Sequence, residues 1–166
     1  HMTDGFYSSY TDTLFKEEAI GLLKKSEHDI TLVMDTDWRS RYRYRSLHPE
    51  SDAEKMIVQG DRVTEVSRTI ESDKASGEFT GVLKMNSKGA GIFLQYYDEL
   101  LSSLGLNSNF AENKPFRMAY LIHLLNHMIK QNVEIHCVPV HGNYHEIDTL
   151  QDFELAKADW GIADNE

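Results

Sequence analysis

Short apolar runs alternate with longer amphipathic stretches along the whole chain. Ile30–Met34 is a continuous apolar run, the length of one buried strand. Ahead of it, Lys16–Ser26 places Ala19, Ile20, Leu22 and Leu23 on one side of a helix. Ahead of that, Gly5–Tyr10 is a short aromatic-rich strand ended by the polar pair Thr11-Asp12. Strand, helix and strand within about 30 residues predict a βαβ unit whose strands are parallel. Ligands of such sheets gather at the carboxyl ends of the strands, and Asp12 and Asp35 both fall there.

Further along, Lys55–Val58 and Arg62–Ser67 flank Gln59-Gly60-Asp61, a hairpin by its turn residues. Gly77–Met85 is a strand. Ser87 is placed to cap a helix over Lys88–Leu104, with Ile92, Phe93, Tyr96, Leu100 and Leu101 on its apolar side. Residues 102–115 form a polar connection, and Phe116–Gln131 is one strongly amphipathic helix. Val133–Val138 is the last strand. Thr149 and Asp152 make a T-x-x-D capping pair for a final helix through about Ala158. The pattern predicts an α/β fold: one open, mostly parallel sheet with flanking helices, containing the strands at 5–10, 30–34, 77–85 and 133–138.

Composition narrows the function classes. The 166 residues suffice for one domain with a real core. A net charge of −10 argues against nonspecific binding to nucleic acid or to anionic membrane. No apolar run approaches the roughly 20 residues needed to cross a bilayer. Cys137 is the single cysteine, lies in an apolar run, and reads as a buried thiol of a reducing compartment, the cytoplasm. His1-Met2 reads as a cloning remnant, residues 3–160 as the domain and 161–166 as a tail or linker.

The densest chemistry follows the Ile30–Met34 run. Arg39, Arg41, Arg43 and Arg45 are more than half of the chain's seven arginines and alternate with Ser40, Tyr42 and Tyr44. An extended conformation would bring all four guanidinium groups to one face, where they could grip phosphate or phosphonate in two-pronged fashion. The competing reading is a solvated loop whose arginines pair with neighbouring acids. Other motifs are weak. Gly89-Ala90-Gly91 lacks the third glycine of a dinucleotide loop and lies within a helical pattern. His123 and His127 have metal-ligand spacing, but Leu124 and Asn126 exclude the zinc-protease pattern.

Three separated segments carry more. They are Ser9-Tyr10-Thr11-Asp12-Thr13-Leu14-Phe15, Gly77-Glu78-Phe79-Thr80-Gly81 and Gly142-Asn143-Tyr144-His145-Glu146-Ile147-Asp148-Thr149. In this order and spacing they resemble the nucleotidyltransferase superfamily, and most of all its phosphocholine and aminoalkylphosphonate cytidylyltransferase branch. Some members of that branch are fused to phosphoenolpyruvate phosphomutase. The segment His48-Pro49-Glu50-Ser51-Asp52-Ala53-Glu54-Lys55 is similar to that branch too.

The resemblance implies an enzyme that transfers CMP from a nucleoside triphosphate to a phosphonate or phosphocholine-like acceptor, with pyrophosphate leaving. It implies Mg2+ as cofactor, held by Asp12 and Asp148. Read without the resemblance, Asp12 is a helix N-cap and Asp148 a cap before the final helix. Glu78 matches an acidic residue facing the acceptor, and Lys84, six positions on, is a candidate phosphate cation. The arginine run would hold the acceptor's phosphonate or phosphate beside Tyr144 and Glu146, with Tyr144 standing where the family usually has Trp. The family begins with a strand and a Gly-rich loop that cradles the triphosphate. Nothing of that kind precedes Asp12, so the chain matches the carboxyl-terminal part of the domain. Completion by an amino-terminal segment, or dimerisation across an uncovered sheet edge, is the expected consequence. Two other readings stay open: a non-catalytic module binding a phosphonate or its cytidylyl ester, and a phosphodiesterase that removes CMP.

Overall fold

The computed structural model describes residues 4–161; residues 1–3 and 162–166, which include the expected remnant and most of the expected tail, lie outside the described residues. In chain order the elements are β1 (Phe6–Ser8), β2 (Thr13–Phe15), α1 (Glu17–Lys25), β3 (Ile30–Asp35), α2 (Trp38–Tyr42), β4 (Lys55–Gln59), β5 (Arg62–Ser67), β6 (Gly77–Met85), α3 (Ser87–Leu104), β7 (Asn109–Ala111), β8 (Lys114–Pro115), α4 (Leu121–Lys130), β9 (His136–Val140), β10 (Tyr144–Glu146) and α5 (Leu150–Trp160).

The α/β class holds, but the main sheet is mixed rather than mostly parallel. Its order is β1-β6-β3-β9-β5-β4, with an added β4–β6 pairing. Among the described residues only β3 and β9 are parallel neighbours; β6 runs antiparallel to β1, β3 and β4. β1 and β3 therefore point the same way, as the strand-helix-strand reading required, but β6 is inserted between them. The pairings β6–β3–β9–β5–β4–β6 form a closed circuit, sealed by Arg62↔His136 and by Lys55↔Glu78 and Met56↔Gly77.

β3 is buried at every position, because both its faces are covered. Ile30, Leu32 and Met34 enter the larger core with Met56, Val66, Phe79, Leu83, Ile122, Leu125 and Met128. Val33 alternates to the other face and packs with Val82 and Val140 against Ala19 and Leu23 of α1. α1 carries Glu17 and Glu18 in its first turn and Lys24 and Lys25 in its last, the distribution that the helix dipole favours. Among the described residues no helix is long and apolar enough to cross a membrane.

Several boundaries differ from expectation. Asn86, not Ser87, caps α3, its side chain accepting from Gly89 N at 2.9 Å. Gly89 lies against the Asp29 carbonyl, where any Cβ would collide, so packing accounts for this glycine. The helix expected over 116–131 is interrupted: residues 116–118 form a 3-10 turn, Ala119 and Tyr120 are extended, and α4 starts at Leu121. The ring of His123 closes that start by accepting from Tyr120 N at 3.2 Å. The strand expected over 133–138 begins at His136 rather than Val133, because Val133 N still returns to Met128 O at 3.0 Å and Asn132 takes a left-handed φ of 63°. The polar connection at 102–115 contains the small β7–β8 pair.

Candidate active site

The carboxyl end of β3 and the amino end of β6 meet at the register pair Asp35↔Glu78, and both side chains are buried. Asp35 ties the neighbouring loops together: its Oδ1 accepts from Asp37 N at 2.9 Å and from Gly142 N at 2.8 Å. Arg41 answers the two acids, with Nε 3.4 Å from Asp35 Oδ2 and Nη2 paired to Glu78. Tyr42 donates its hydroxyl to the other Glu78 oxygen at 2.7 Å. The Arg41 guanidinium lies 4.1 Å from the ring centroid of the buried Tyr144. Arg41 Nη1 is buried without a hydrogen-bond partner among the described residues. Arg41 lines a cleft of about 280 Å³ with Asp37, Ser40, Tyr144 and His145.

These contacts correct the reading of the arginine run. Residues 38–42 are helical, so the four guanidinium groups do not share a face. Arg39 and Arg43 are exposed, and Arg39 lies over the Trp38 ring. Arg41 and Arg45 turn inward, each onto carboxylates. Pairing with local acids was the competing reading, but the pairs are buried rather than solvated. Arg45 donates through Nε to Asp152 Oδ1 at 2.6 Å and through Nη2 to Glu146 O at 3.1 Å, and it also contacts His48 Nδ1.

The third quoted segment arrives on a strand of its own. β10 pairs antiparallel with β2, with Glu146 opposite Thr13, and Ile147 N donates to Asp12 O at 2.8 Å. Asp12 and Asp148, 136 positions apart, thus lie on adjoining backbone segments. Asp12 is exposed and the Asp148 side chain is 48% exposed. His48 stands between the acids, with Nδ1 3.3 Å from Asp148 Oδ2 and Nε2 3.7 Å from Glu146 Oε2. One ligand atom from each of His48, Glu146 and Asp148 lies within 4.8 Å of the others. Burial, together with the neighbouring charges of Glu78, Asp148 and Glu54, pushes the Glu146 carboxyl up to about 8. Burial raises Glu54 too; it accepts from Tyr10 Oη at 2.9 Å and faces Arg68 at 3.3 Å.

Lys84 is not part of this constellation. It pairs in register with Thr31 and Tyr7 near the far end of β6, about 20 Å along the strand from Glu78. Its Nζ donates to Ser26 O at 2.5 Å. The structure thus gathers Asp12, Arg41, Arg45, Glu78, Tyr144, Glu146 and Asp148 at one end and leaves Lys84, Arg39 and Arg43 out of their contacts. It adds Asp35, Tyr42, His48, Glu54 and Asp152. The sequence did signal Asp35 by its place at a strand end, His48 and Glu54 through their quoted segment, and Asp152 through the capping pair, but none of these signals revealed a shared network.

No family model matches the chain. The chain is similar to the CTP:phosphoglutamine cytidylyltransferase of Campylobacter jejuni, 22% identical over 148 residues that cover 89% of this chain and 56% of that protein. Its fold matches that of the inositol-1-phosphate CTP transferase from T. maritima with a TM-score of 0.63, at 22% identity over 96% of this chain and 58% of that one. It likewise matches the CTP:phosphocholine cytidylyltransferase from Streptococcus pneumoniae with a TM-score of 0.61, at 20% identity over 93% and 57%. The chain therefore spans little more than half the length of these proteins, and the structural likeness establishes a common fold.

Proposed function

We propose that this chain forms the acceptor- and metal-binding part of a cytidylyltransferase, in which CMP passes from CTP to a small phosphate- or phosphonate-bearing acceptor and pyrophosphate is released. The observation that carries the reading is the β2–β10 pairing, which brings the Asp12 and Asp148 segments side by side at the end of the sheet where Glu78 lies. The similarity to CTP-using transferases supports the same chemistry.

The donor set suits a hard divalent cation. Two exposed carboxylates, Asp12 and Asp148, offer oxygen ligands, with Glu146 behind them, and Mg2+ needs few protein ligands when phosphates and water complete its shell. When bound there, such an ion neutralises phosphate charge during the transfer. The chain's own groups then position the reactants. Arg41 and Tyr42 hold Glu78 fixed, and Arg45 fixes the Glu146 carbonyl and hence the loop that presents Asp148. The carboxyls of Glu54, Glu78 and Glu146 crowd a largely desolvated space with the phenols of Tyr10, Tyr42 and Tyr144. A cationic acceptor head of the phosphocholine type would relieve that repulsion and meet aromatic faces.

Calorimetric titration of cytidylyl esters, CDP-choline and a cytidylyl phosphonate, tests this with and without Mg2+. Saturable binding that requires Mg2+, and that weakens about tenfold or more in Asp12→Asn and Asp148→Asn, is the expected result. Binding indifferent to the metal and to both substitutions overturns it.

A further inference from the structure

At the opposite end of the sheet, three polar side chains from three separate segments converge. His28 precedes β3, Asp61 sits in the β4–β5 turn, and His136 opens β9. His28 Nε2 is 3.1 Å from Asp61 Oδ2, and His136 Nδ1 is 3.3 Å from Asp61 Oδ1. The two imidazoles stack with centroids 3.5 Å apart and planes 4° from parallel. His136 Nδ1 is buried and makes no hydrogen bond among the described residues.

The backbone fixes this grouping independently of the side chains. Cys137 N donates to Asp61 O at 2.8 Å, and Val63 N to Ile135 O at 2.8 Å, so the hairpin turn is tied to the start of β9. His136 stands beside Thr31 in the parallel β3–β9 register. Ser26 Oγ bonds Thr31 Oγ1 at 2.6 Å and accepts from His28 N at 3.4 Å, which holds the loop carrying His28. From Thr31 to Asp35 the strand runs about 13 Å, which separates the cluster from the acidic end described above.

We propose that His28, Asp61 and His136 bind a borderline-soft divalent cation of the zinc type. Two imidazole nitrogens and one carboxylate suit zinc and are a poor set for Mg2+, which prefers oxygen throughout. Zinc bonds of about 2.0–2.1 Å in tetrahedral geometry place neighbouring donor atoms about 3.3 Å apart, close to the spacing of each imidazole nitrogen from its own oxygen of the Asp61 carboxylate. All three ligand atoms lie within 4.8 Å of one another. The rings are stacked in parallel, so binding requires one of them to tilt. The His28 side chain is 42% exposed and has the room to do so. A bound cation gives the orphaned His136 nitrogen its partner and leaves a fourth position to water.

The local charge agrees. Glu27 and Asp29 flank His28, and Glu134 lies two positions before His136. The nearby cations are already engaged, Arg62 with Glu134 at 3.7 Å, Lys88 with Asp29 at 2.6 Å and Lys84 with the Ser26 carbonyl at 2.5 Å. An ion here would clasp the loop before β3, the hairpin turn and the start of β9, three pieces otherwise joined by a few backbone bonds.

The test is titration of chelator-stripped protein with Zn2+ in the presence of excess Mg2+, followed by calorimetry and by the visible spectrum of the Co2+ form. One Zn2+ is expected to bind and to raise the melting temperature. His28→Gln and Asp61→Asn, both at accessible positions, should each weaken it about tenfold or more, about 1.4 kcal/mol, while keeping the parent's urea midpoint in metal-free buffer. Absence of Zn2+ binding below millimolar concentration overturns the proposal. So does Zn2+ binding that both variants retain, which would assign the ion elsewhere and leave this cluster as a surface ion-pair set. Neither result depends on CTP or an acceptor, so failure here is separate from failure of the transferase reading.

Discussion

Replacing Arg45 by Met should cost about 3 kcal/mol at neutral pH, and the figure follows from its contacts. Arg45 and Asp152 have side chains only 4% and 1% exposed and meet at 2.6 Å. Removing one partner of such a pair leaves the other buried and uncompensated, at a cost of about 3–5 kcal/mol. Asp152 keeps some support, since its Oδ2 still accepts from Thr149 N at 2.9 Å, Thr149 Oγ1 at 2.8 Å and Asp148 N at 3.2 Å, which sets the expectation at the low end. The acidity of the carboxyl points the same way. Burial pushes the Asp152 carboxyl upward, but the hydrogen bonds from Arg45 and Thr149 outweigh it and hold the group down from 3.8 to about 2. A depression of that size is worth about 2 kcal/mol, shared between Arg45 and Thr149. The unfolded chain binds this proton more readily than the native one, so the contribution is present above pH 3.8 and is lost as pH falls through about 2. In Arg45→Met the carboxyl takes up its proton at higher pH, so the gap between parent and variant should narrow as pH falls from neutral towards 3. Urea unfolding at several pH values reads both effects. A loss below about 1 kcal/mol at neutral pH, the value of a solvated ion pair, or a gap that stays constant into acid, would refute the reasoning.

Glu146→Gln should change the opposite side of the pH profile. Its carboxyl rises from 4.5 to about 8, so the native state holds a proton that the unfolded chain has released, and parent stability should fall as pH rises through that window; urea midpoints at mildly acidic and mildly alkaline pH should differ less in the variant. Tyr42→Phe removes the 2.7 Å hydrogen bond to buried Glu78 and should cost about 1–3 kcal/mol by denaturant unfolding; an unchanged midpoint would contradict the contact. Gly81→Ala places a Cβ against the Tyr10 ring at a φ of +75°, and thermal melting should show a loss of about 1–3 kcal/mol or more.

Element type was legible wherever periodicity had a single cause. Gly77–Met85 is a strand with the bounds expected, and the final helix opens at the Thr149–Asp152 pair. Sheet order was not legible, because β6 joins β3 across more than 40 intervening residues and nothing local marks that insertion between β1 and β3. The Arg39–Arg45 stretch misled for a physical reason: alternation of Arg with Ser and Tyr fits period two, yet Trp38 and Tyr42, four apart, bury together with Ala53 as a helix face. The site was half legible. Asp12, Glu78 and Asp148 stood out by resemblance, whereas Asp35 and His48 were marked only by place and segment, and their partners Gly142 and Asp148 come within reach only in the fold. Lys84 failed because six strand residues carry it to the wrong end of the sheet.

The central claim is that Asp12 and Asp148 share one hydrated divalent cation. Mn2+ substituting for Mg2+ tests it through paramagnetic broadening of assigned backbone amide signals. The account predicts that substoichiometric Mn2+ broadens signals around residues 11–13 and 146–149, and that Asp12→Asn and Asp148→Asn each abolish the effect at the other segment. Signals that stay sharp in both segments, or broadening at one that is indifferent to substitution at the other, would contradict it.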